Sequence, residues 1–540
     1  MSSVTGAFRD AAAREPDAPV LIDSVSGAAI TRSCTFARAA AWAEEIAKRY
    51  RPGALVPLLT ARNADTLAMI VACMMVERSF TVLNPRFRPV QLAEVLRQAS
   101  VSTLCIDAMG AACLYRDRRQ VSMLGDITVL TVAPETWPES AVKQAGHLAG
   151  LIGTVDLLRG KAAEPAPKKR DPGHPAACLF TSGSTGTSKG VLVAEEDLCD
   201  RAEAEIAAFG LQQGDRILNL LPWSFDVGLN QVLTALVGGT VLVSLESWLP
   251  ADIAEAAQQH AVAGISAVPS IWRGVLSAEV AIRGDTLRYA TISGGSLRPD
   301  EYDALAAAMP GVSILKTYGQ TETFRSTIAT SNDVAHAPGT VGRPFPGARV
   351  YIVDANLARL KDGEEGEILH TGLGTMLGYL NGGSAGKLIS NPFRGVDGDE
   401  APYAVLTGDL GHLDTGGRLH LHGRADDMVK VAGNRVYLQE VMALAARLDE
   451  VDASQALAVS EAGNETVIEL AVVLVPHAEG MVDATSIRQK LAKIMPSYMC
   501  PRRVTLVSEI PLTPSGKVDA PALRCVLNSM PHNDQAETSK

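Results

Sequence analysis

The chain has 540 residues, 47% of them apolar and 20% charged, which is too long for one hydrophobic core and rich enough to fill at least two. A formal net charge of −11 and a pI near 5.5 exclude nucleic acid and anionic membrane as main partners, because both select basic surfaces. The longest apolar run, Thr66 to Val76, is about half the length that spans a bilayer, and the opening MSSVTGAFRD has no signal-peptide core. A cytoplasmic protein without a membrane partner is expected. Eight cysteines are scattered without a C-x-x-C pair and are read as reduced core thiols.

In chain order, amphipathic helices are expected over Ala37 to Lys48 and around Gln91 to Gln98, and Lys161 to Pro175 reads as an exposed connection. From Ala176 to Thr317 short apolar runs (ACLF, RILNLL, ISAV, YATI, ILKTY) alternate with helical periodicity over Asp197 to Phe209 and Ala251 to Val262. Such alternation predicts an α/β fold of doubly wound, largely parallel sheets, with ligands held beyond the strand C-termini. Gly339 to Gly423 turns to glycine-punctuated β runs (RVYIVD, GEILHTG, YAVLTGDLGHLD, RLHLHG), so a β-rich subdomain over about 339–423 completes a large N-terminal domain, 1–425. A small α+β C-terminal domain follows over 426–528, and the polar residues 529–540 are expected to be a disordered tail.

LFTSGSTGTSKGV, from Leu179 to Val191, sets three glycines, several hydroxyls and one lysine behind an apolar strand. Glycine lets backbone approach phosphate oxygens without a Cβ clash, amides and hydroxyls donate hydrogen bonds, and Lys189 supplies charge. The order is not that of a Walker loop, since Ser188 precedes the lysine and Gly190 follows it. Alone, the segment also fits a flexible Ser/Gly linker.

Five further motifs follow: SGGS (Ser293 to Ser296), YGQTE (Tyr318 to Glu322), TGD (Thr407 to Asp409), GRADDMVKVAGNRV (Gly423 to Val436) and PLTPSGKVD (Pro511 to Asp519). In this order the set resembles the adenylate-forming superfamily, which includes acyl-CoA synthetases, firefly luciferase and the adenylation domains of nonribosomal peptide synthetases, and the resemblance covers essentially the whole chain. It implies that a carboxylate attacks the α-phosphate of ATP to give an acyl-adenylate and pyrophosphate, after which a nucleophile displaces AMP. On that resemblance Lys189, Thr181, Ser182, Gly183, Ser184, Thr185 and Gly186 would hold the β- and γ-phosphates. Tyr318 and Gly319 would lie against adenine, with Gly294, Gly295 and Ser296 along the base or the acyl group. Thr321 would reach the α-phosphate, and Glu322 would ligate Mg²⁺. Asp409 would accept the ribose hydroxyls, and Arg424 would reach ribose or phosphate. Lys517 would bridge the attacking carboxylate and the phosphate, a kind of contact worth on the order of a hundredfold to a thousandfold in rate. The small domain would be mobile, hinging at Asp426, and Lys430 and Gly433 would then line a tunnel for a phosphopantetheine thiol.

LPWSFDVGLNQ, from Leu221 to Gln231, bears on which acid is used. Many acyl-CoA synthetases carry histidine where Phe225 stands, whereas amino-acid-activating members carry Phe-Asp, with the aspartate pairing the substrate ammonium. Asp226 therefore implies an amino acid or another amino-bearing acid; its alternative is to cap the following helix. Phe225, Asn230, Ser270, Trp272, Ser293, Thr317 and Phe324 are further wall candidates, Trp272 favouring a small substrate. Arg325 would meet a second acidic group or form a salt bridge. His420 and His422 lack a third ligand and are read as a structural pair, with no zinc site. Arg488, Lys490, Lys493, Arg502 and Arg503 are either solvated charge or a face for an acidic carrier protein.

The expected protein is a free-standing ligase using ATP and Mg²⁺ that adenylates a small carboxylic acid, an amino acid by the Asp226 reading, and passes it to a phosphopantetheine thiol. No carrier domain follows Lys517, so a separate acyl or peptidyl carrier protein, or CoA, is expected as partner, and the ligase itself as monomer or homodimer. The alternatives are an acyl-CoA synthetase for an unaminated acid, a ligase with a non-thiol acceptor, and a silent nucleotide-binding relative, against which Lys189, Glu322, Asp409 and Lys517 all argue.

Overall fold

The computed structural model describes residues 3–85, 87, 89–132, 137–149, 154–158, 173–181, 189–382, 386–424, 428–431, 434–460, 466–512 and 518–530. Two compact units divide the chain: Met1–Tyr351 with Leu369–Thr407 and Leu413–His420, and Ile352–Ile368 with Gly408–His412 and Leu421–Lys540.

The first unit is built on two large sheets. In one, nine strands run in the order Arg343–Pro344, Thr327–Ala329, Ser313–Tyr318, Tyr289–Ile292, Gly264–Ala267, Arg216–Asn219, Val241–Ser244, Pro19–Asp23 and Ala29–Thr31. Its six middle strands pair in parallel, and its outer strands are antiparallel. Parallel strands need crossovers, which the helices Asp226–Gly238, Pro250–Gln259, Pro269–Ser277 and Pro299–Ala308 supply. The other sheet orders eight strands as Gly378–Tyr379, Lys189–Ala194, Pro175–Thr181, Ser79–Val82, Leu55–Leu59, Thr103–Ile106, Thr128–Val132 and Thr154–Leu158. Lys189–Ala194 folds back antiparallel on Pro175–Thr181, with Thr181 opposite Lys189, so the two ends of the glycine-rich segment are fixed together.

The apolar run of Thr66 to Val76 lies mainly in the helix Ala64–Met75, whose first turn is capped by the Asn63 side chain accepting from Asp65 N at 3.1 Å and Thr66 N at 2.9 Å. From Thr66 to Met74 every residue is buried. It is a core helix, and among the described residues no helix is long and apolar enough to cross a membrane. Cys73, Cys105, Cys178 and Cys199 are buried thiols, whereas Cys34 and Cys525 are exposed, a departure from the expectation of core thiols throughout.

The second unit holds an antiparallel hairpin, Met428–Val431 with Asn434–Tyr437, and a three-stranded sheet in which Val451–Ser460 pairs antiparallel with Thr466–Leu474 and Arg503–Leu506 pairs parallel with it. The helix Ala484–Ile494 makes the parallel crossover, started by Asp483 accepting from Ser486 N at 2.8 Å. It buries Ile487 and Leu491 against Ile468, Leu470, Val472 and Val504, each such aliphatic side chain contributing about 1.5–3 kcal/mol. The helix Ala520–Ser529 reaches the first residue of the expected tail, and 531–540 lie outside the described residues.

His370, in the strand Gly366–Gly372, is wholly buried; its Nε2–H donates to Leu373 O at 2.9 Å, while Nδ1 has no hydrogen-bond partner among the described residues. Burial, with Arg201 nearby, holds the imidazole pKa down to about 4. Unfolded histidine takes a proton near pH 6.5 and the folded one resists until about 4, so stability is full above 6.5 and falls as pH drops between those values. The shift corresponds to about 3 kcal/mol at most. We expect the unfolding midpoint of His370→Gln to fall less between pH 7 and pH 4.5 than that of the parent, and an equal fall in both would refute this assignment.

Candidate functional site

The six parallel strands of the nine-stranded sheet end at one edge. Beyond it lie Leu220 to Asp226, Val268 and Pro269, Ser293 to Ser296, and Gly319 to Thr321. Ser293 Oγ and Thr317 Oγ1 are 2.8 Å apart, and Thr291 Oγ1 lies 3.3 Å from Ser293 Oγ, giving a buried hydroxyl chain across two neighbouring strands. Gly294, Gly295 and Ser296 are exposed there.

Tyr318 closes its strand, and the chain then turns sharply through Gly319 to Arg325. At Gly319 a Cβ would stand 1.8 Å from Phe324 O, so no other residue fits. Gln320 N donates to Thr323 Oγ1 at 3.0 Å, and Gln320 Nε2 donates to Thr407 O at 2.9 Å. Thr321 is half-buried on this turn. Glu322 is 8% exposed; its Oε1 accepts from the Tyr379 hydroxyl at 2.8 Å and lies 3.6 Å from Lys387 Nζ. Glu322 O accepts from Met376 N at 3.0 Å. Lys189 Nζ sits over the Tyr379 ring, 5.5 Å from its centroid. Thr181 Oγ1 lies 3.5 Å from Lys189 O, and Ser182, Gly183, Ser184, Thr185 and Gly186 lie outside the described residues.

The segment after Glu322 is locked from below. Phe324 adopts a left-handed backbone, φ 56°, which turns Arg325 inward to Glu205 of the helix Glu195–Phe209. The guanidinium reaches Glu205 Oε2 at 2.8 Å with the two side chains 2% and 1% exposed. No hydrogen-bond partner meets its Nε or NH1 among the described residues; the rings of Phe209 and Phe324 face it instead, at 5.2 and 5.3 Å. Burial pushes the Glu205 carboxyl above its ordinary value; Arg325 and Asn230 offset part of this, and nearby Asp226 adds repulsion. Asn230 Nδ2 donates to Glu205 Oε2 at 2.7 Å, which leaves Asn230 Oδ1 buried without a partner among the described residues. On the same helix, Asp226 and Asn230 stand one turn apart on one face, and Asp226 Oδ1 accepts from Val227 N at 2.8 Å. Phe225 precedes it as the residue before the first turn. Trp272 is wholly buried, its indole N–H donating to Thr291 O at 2.9 Å, so it packs inside the sheet–helix layer.

Arg201 and Asp197, one turn apart on the helix Glu195–Phe209 and 2.5 Å from each other, bind the backbone of Gly374: its N–H donates to Asp197 Oδ1 at 2.9 Å, and its carbonyl accepts from Arg201 at 3.0 Å. Gly374, at φ 94°, could not carry a Cβ, which would lie 2.2 Å from Thr323 O.

In the second unit, Arg424 NH1 donates to Asp409 Oδ1 at 3.3 Å, so these two candidates meet each other. His412 and His422 approach to 2.7 Å, and in the first unit His420 lies 3.5 Å from Asp414, so the histidine pairing is not the one the alternation of 420 and 422 suggested. No group of three or more metal-binding side chains occurs among the described residues. Asp426, Gly433 and Lys517, and the Lys430 side chain, lie outside what the structure describes.

Sequence reasoning passed over Tyr379, Lys387, Glu205 and the Asp197–Arg201 pair. Gly378–Tyr379 is a two-residue strand, too short for periodicity, and Glu205 reads as the polar face of an amphipathic helix.

Two family models match the chain: AMP-binding enzyme over residues 8–380 and AMP-binding enzyme C-terminal domain over 443–517. The chain belongs to the AMP-binding enzymes, the adenylate-forming superfamily, a family of AMP-forming ligases. Among curated relatives, the probable non-canonical nonribosomal peptide synthetase CymA of Salinispora arenicola is 31% identical over 477 residues, 87% of this chain and 6% of that protein. The delta-poly-L-ornithine synthetase of Acinetobacter baumannii is 30% identical over 391 residues, 70% of this chain and 28% of that one. The chain thus spans less than a third of either protein. Novobiocin biosynthesis protein H of Streptomyces niveus is 27% identical, over 87% of this chain and 74% of its own length. In fold, ATP-bound MatB from Rhodopseudomonas palustris superposes with a TM-score of 0.79 at 21% identity, covering 98% of this chain and 99% of MatB.

The buried Arg325–Glu205 pair gives a stability test. Arg325→Met leaves an unpaired buried carboxylate and should destabilise the large unit by about 3–5 kcal/mol, whereas adding Glu205→Gln should restore much of the loss. Denaturant unfolding of the single and double variants measures this; equal losses in both would remove the pair from its anchoring role.

Proposed function

We propose that this chain uses ATP to adenylate a small amino acid, releasing pyrophosphate, and passes the acyl group to a phosphopantetheine thiol of a carrier protein or of CoA. The observation that carries the proposal is the meeting of the Tyr318 to Glu322 turn, which leaves the sheet edge bearing the Ser293–Thr317 hydroxyls, with Lys189 of the other sheet, through Tyr379. Developing negative charge on phosphate needs a preorganised cation and donors in a partly dry site. Lys189 would meet the outer phosphates, Thr321 the α-phosphate, Tyr318 and Gly294 to Ser296 the base, and Asp409 with Arg424 the ribose. A buried carboxylate such as Glu322, with no cluster of acidic neighbours among the described residues, suits Mg²⁺, which takes one or two protein carboxylates and otherwise phosphate oxygens and water. Mg²⁺ held by Glu322 would neutralise phosphate charge.

Amino-acid use rests on Asp226 and Asn230, which set two acceptors one turn apart on one helix face, chemistry that asks for donors on the substrate. Relatives named as peptide and poly-ornithine synthetases support the same choice. A second reading, an acyl-CoA synthetase for an unaminated acid, is favoured by the Asp226 bond to Val227 N, which makes the carboxylate a helix-start residue. Phe225, Ser293, Thr317 and Trp272 would shape the wall of the acid site, directly or from behind. A functional division into 1–425 and 426–528, the small part hinging at Asp426 and offering Lys430 and Gly433 to the thiol, accords with the separate family match over 443–517. Within that part Lys490 bonds Glu450, and Arg503 lies 2.7 Å from Glu469, which removes two cations from a carrier-docking face.

Pyrophosphate release with Mg-ATP against paired amino acids and their deaminated analogues tests the acid. Amino acids should be preferred, and Asp226→Ala should reduce their turnover at least tenfold more than that of the analogues; equal losses would support the second reading. Lys517→Ala should slow adenylation about a hundredfold to a thousandfold, and unchanged turnover would refute its role.

A further inference from the structure

Tyr379 lies outside every motif used above, yet it touches two residues of the proposed nucleotide site from opposite directions. Its strand, Gly378–Tyr379, pairs antiparallel with Lys189–Ala194 in the eight-stranded sheet, Tyr379 opposite Val191, and Leu380 N donates to Gly190 O at 2.8 Å. Glu322, by contrast, sits on the turn leaving the nine-stranded sheet. The phenol hydroxyl crosses to Glu322 Oε1 at 2.8 Å, and the face of the same ring carries Lys189 Nζ at 5.5 Å. Lys387 Nζ stands 3.6 Å from the same carboxylate oxygen and is itself held by Gln320 Oε1 at 3.2 Å and Thr407 O at 3.3 Å. Packing alone, against Val191, Met376 and Val405, would be met by phenylalanine.

We propose that Tyr379 is a positioning residue of the adenylation site, aiming the Glu322 carboxylate through its hydroxyl and steadying Lys189 through its ring, with Lys387 as the second hold on Glu322. The proposal rests on the reading of Glu322 as the Mg²⁺ ligand. With both holds on Oε1, that oxygen is fixed and the carboxylate plane is set, so Oε2 is the atom presented to a divalent cation. A carboxylate ligand oriented by a hydrogen bond binds metal more tightly than one that must be ordered on binding, and loss of such a partner typically weakens affinity about tenfold or more. The ring contact with Lys189 is independent of the hydroxyl, which lets one substitution separate the two effects.

The test uses the full chain with ATP and reads Mn²⁺ by electron paramagnetic resonance in the enzyme–ATP complex, alongside calorimetric ATP binding without divalent ions. Tyr379→Phe keeps the ring, so metal-free ATP binding should stay within about twofold while Mn²⁺ affinity falls about tenfold. Tyr379→Leu should lose both, and Lys387→Met should weaken Mn²⁺ binding without changing the ring contact. On a Glu322→Gln background, Tyr379→Phe should add nothing. Unchanged Mn²⁺ affinity in Tyr379→Phe, with Glu322→Gln impaired, overturns the positioning role alone. Unchanged affinity in Glu322→Gln overturns the metal assignment beneath it.

Discussion

The site depends on one dehydrated charge pair. Removing a guanidinium and a carboxylate from water costs several kcal/mol per ion, and the cost is offset only where geometry and neighbours are right. Here Glu205 and Arg325 meet at 2.8 Å, two phenylalanine rings cover the cation, and an asparagine amide donates to the same carboxylate oxygen, while Glu205 Oε1 meets no hydrogen-bond partner among the described residues. The energetic penalty for any other arrangement is what makes the pair useful as a constraint. It ties the helix Glu195–Phe209, the helix Asp226–Gly238 and the turn after Tyr318 to one point. The left-handed backbone at Phe324, unfavourable for a residue with a side chain, is sustained by this closure.

Around that point the same helix does a second job. Asp197 and Arg201 grip both polar atoms of Gly374, and the chain that follows supplies Met376 N to Glu322 O and then Tyr379 to the Glu322 side chain. The turn bearing Glu322 is therefore held from beneath by charge and from the side by backbone and phenol. For the adenylation proposed above, such bonding holds the turn in place by the protein's own contacts, the condition under which electrostatic stabilisation acts without reorganisation.

Much of this organisation was legible. The runs ACLF, ISAV, YATI and ILKTY all became strands, and the helices expected at 37–48, 91–98, 197–209 and 251–262 all formed, most of them a few residues longer or shifted, because caps and buried turns extend what periodicity alone marks. The placement of SGGS and YGQTE after parallel strands followed from the same alternation, whereas TGD lies within the strand Tyr403–Leu413, which pairs antiparallel with Leu388–Ser390. What could not be read was pairing at a distance: Arg325 has no marker pointing to Glu205, 120 positions earlier, nor Tyr379 one pointing to Glu322. Trp272 shows the same limit, since its size suggested a wall position while nothing in the sequence marked the bond from its N–H to Thr291 O. The histidines at 412 and 422 pair across strands, which counting along one strand does not reveal.

The amide of Asn230 carries a consequence for how such a site can diversify. Because the Glu205 carboxylate accepts its N–H, the orientation of this side chain is dictated from behind. An acidic residue at 230 would gather three carboxylates, at 205, 226 and 230, around one guanidinium, and a cationic one would compete with Arg325 for its partner. Positions 205, 230 and 325 are thus a linked trio, free to drift only together. Relatives that are charged at the position of Asn230 are expected to differ at one of the other two as well, and redesign of the acid preference through that helix has to begin a layer beneath the surface it aims to change.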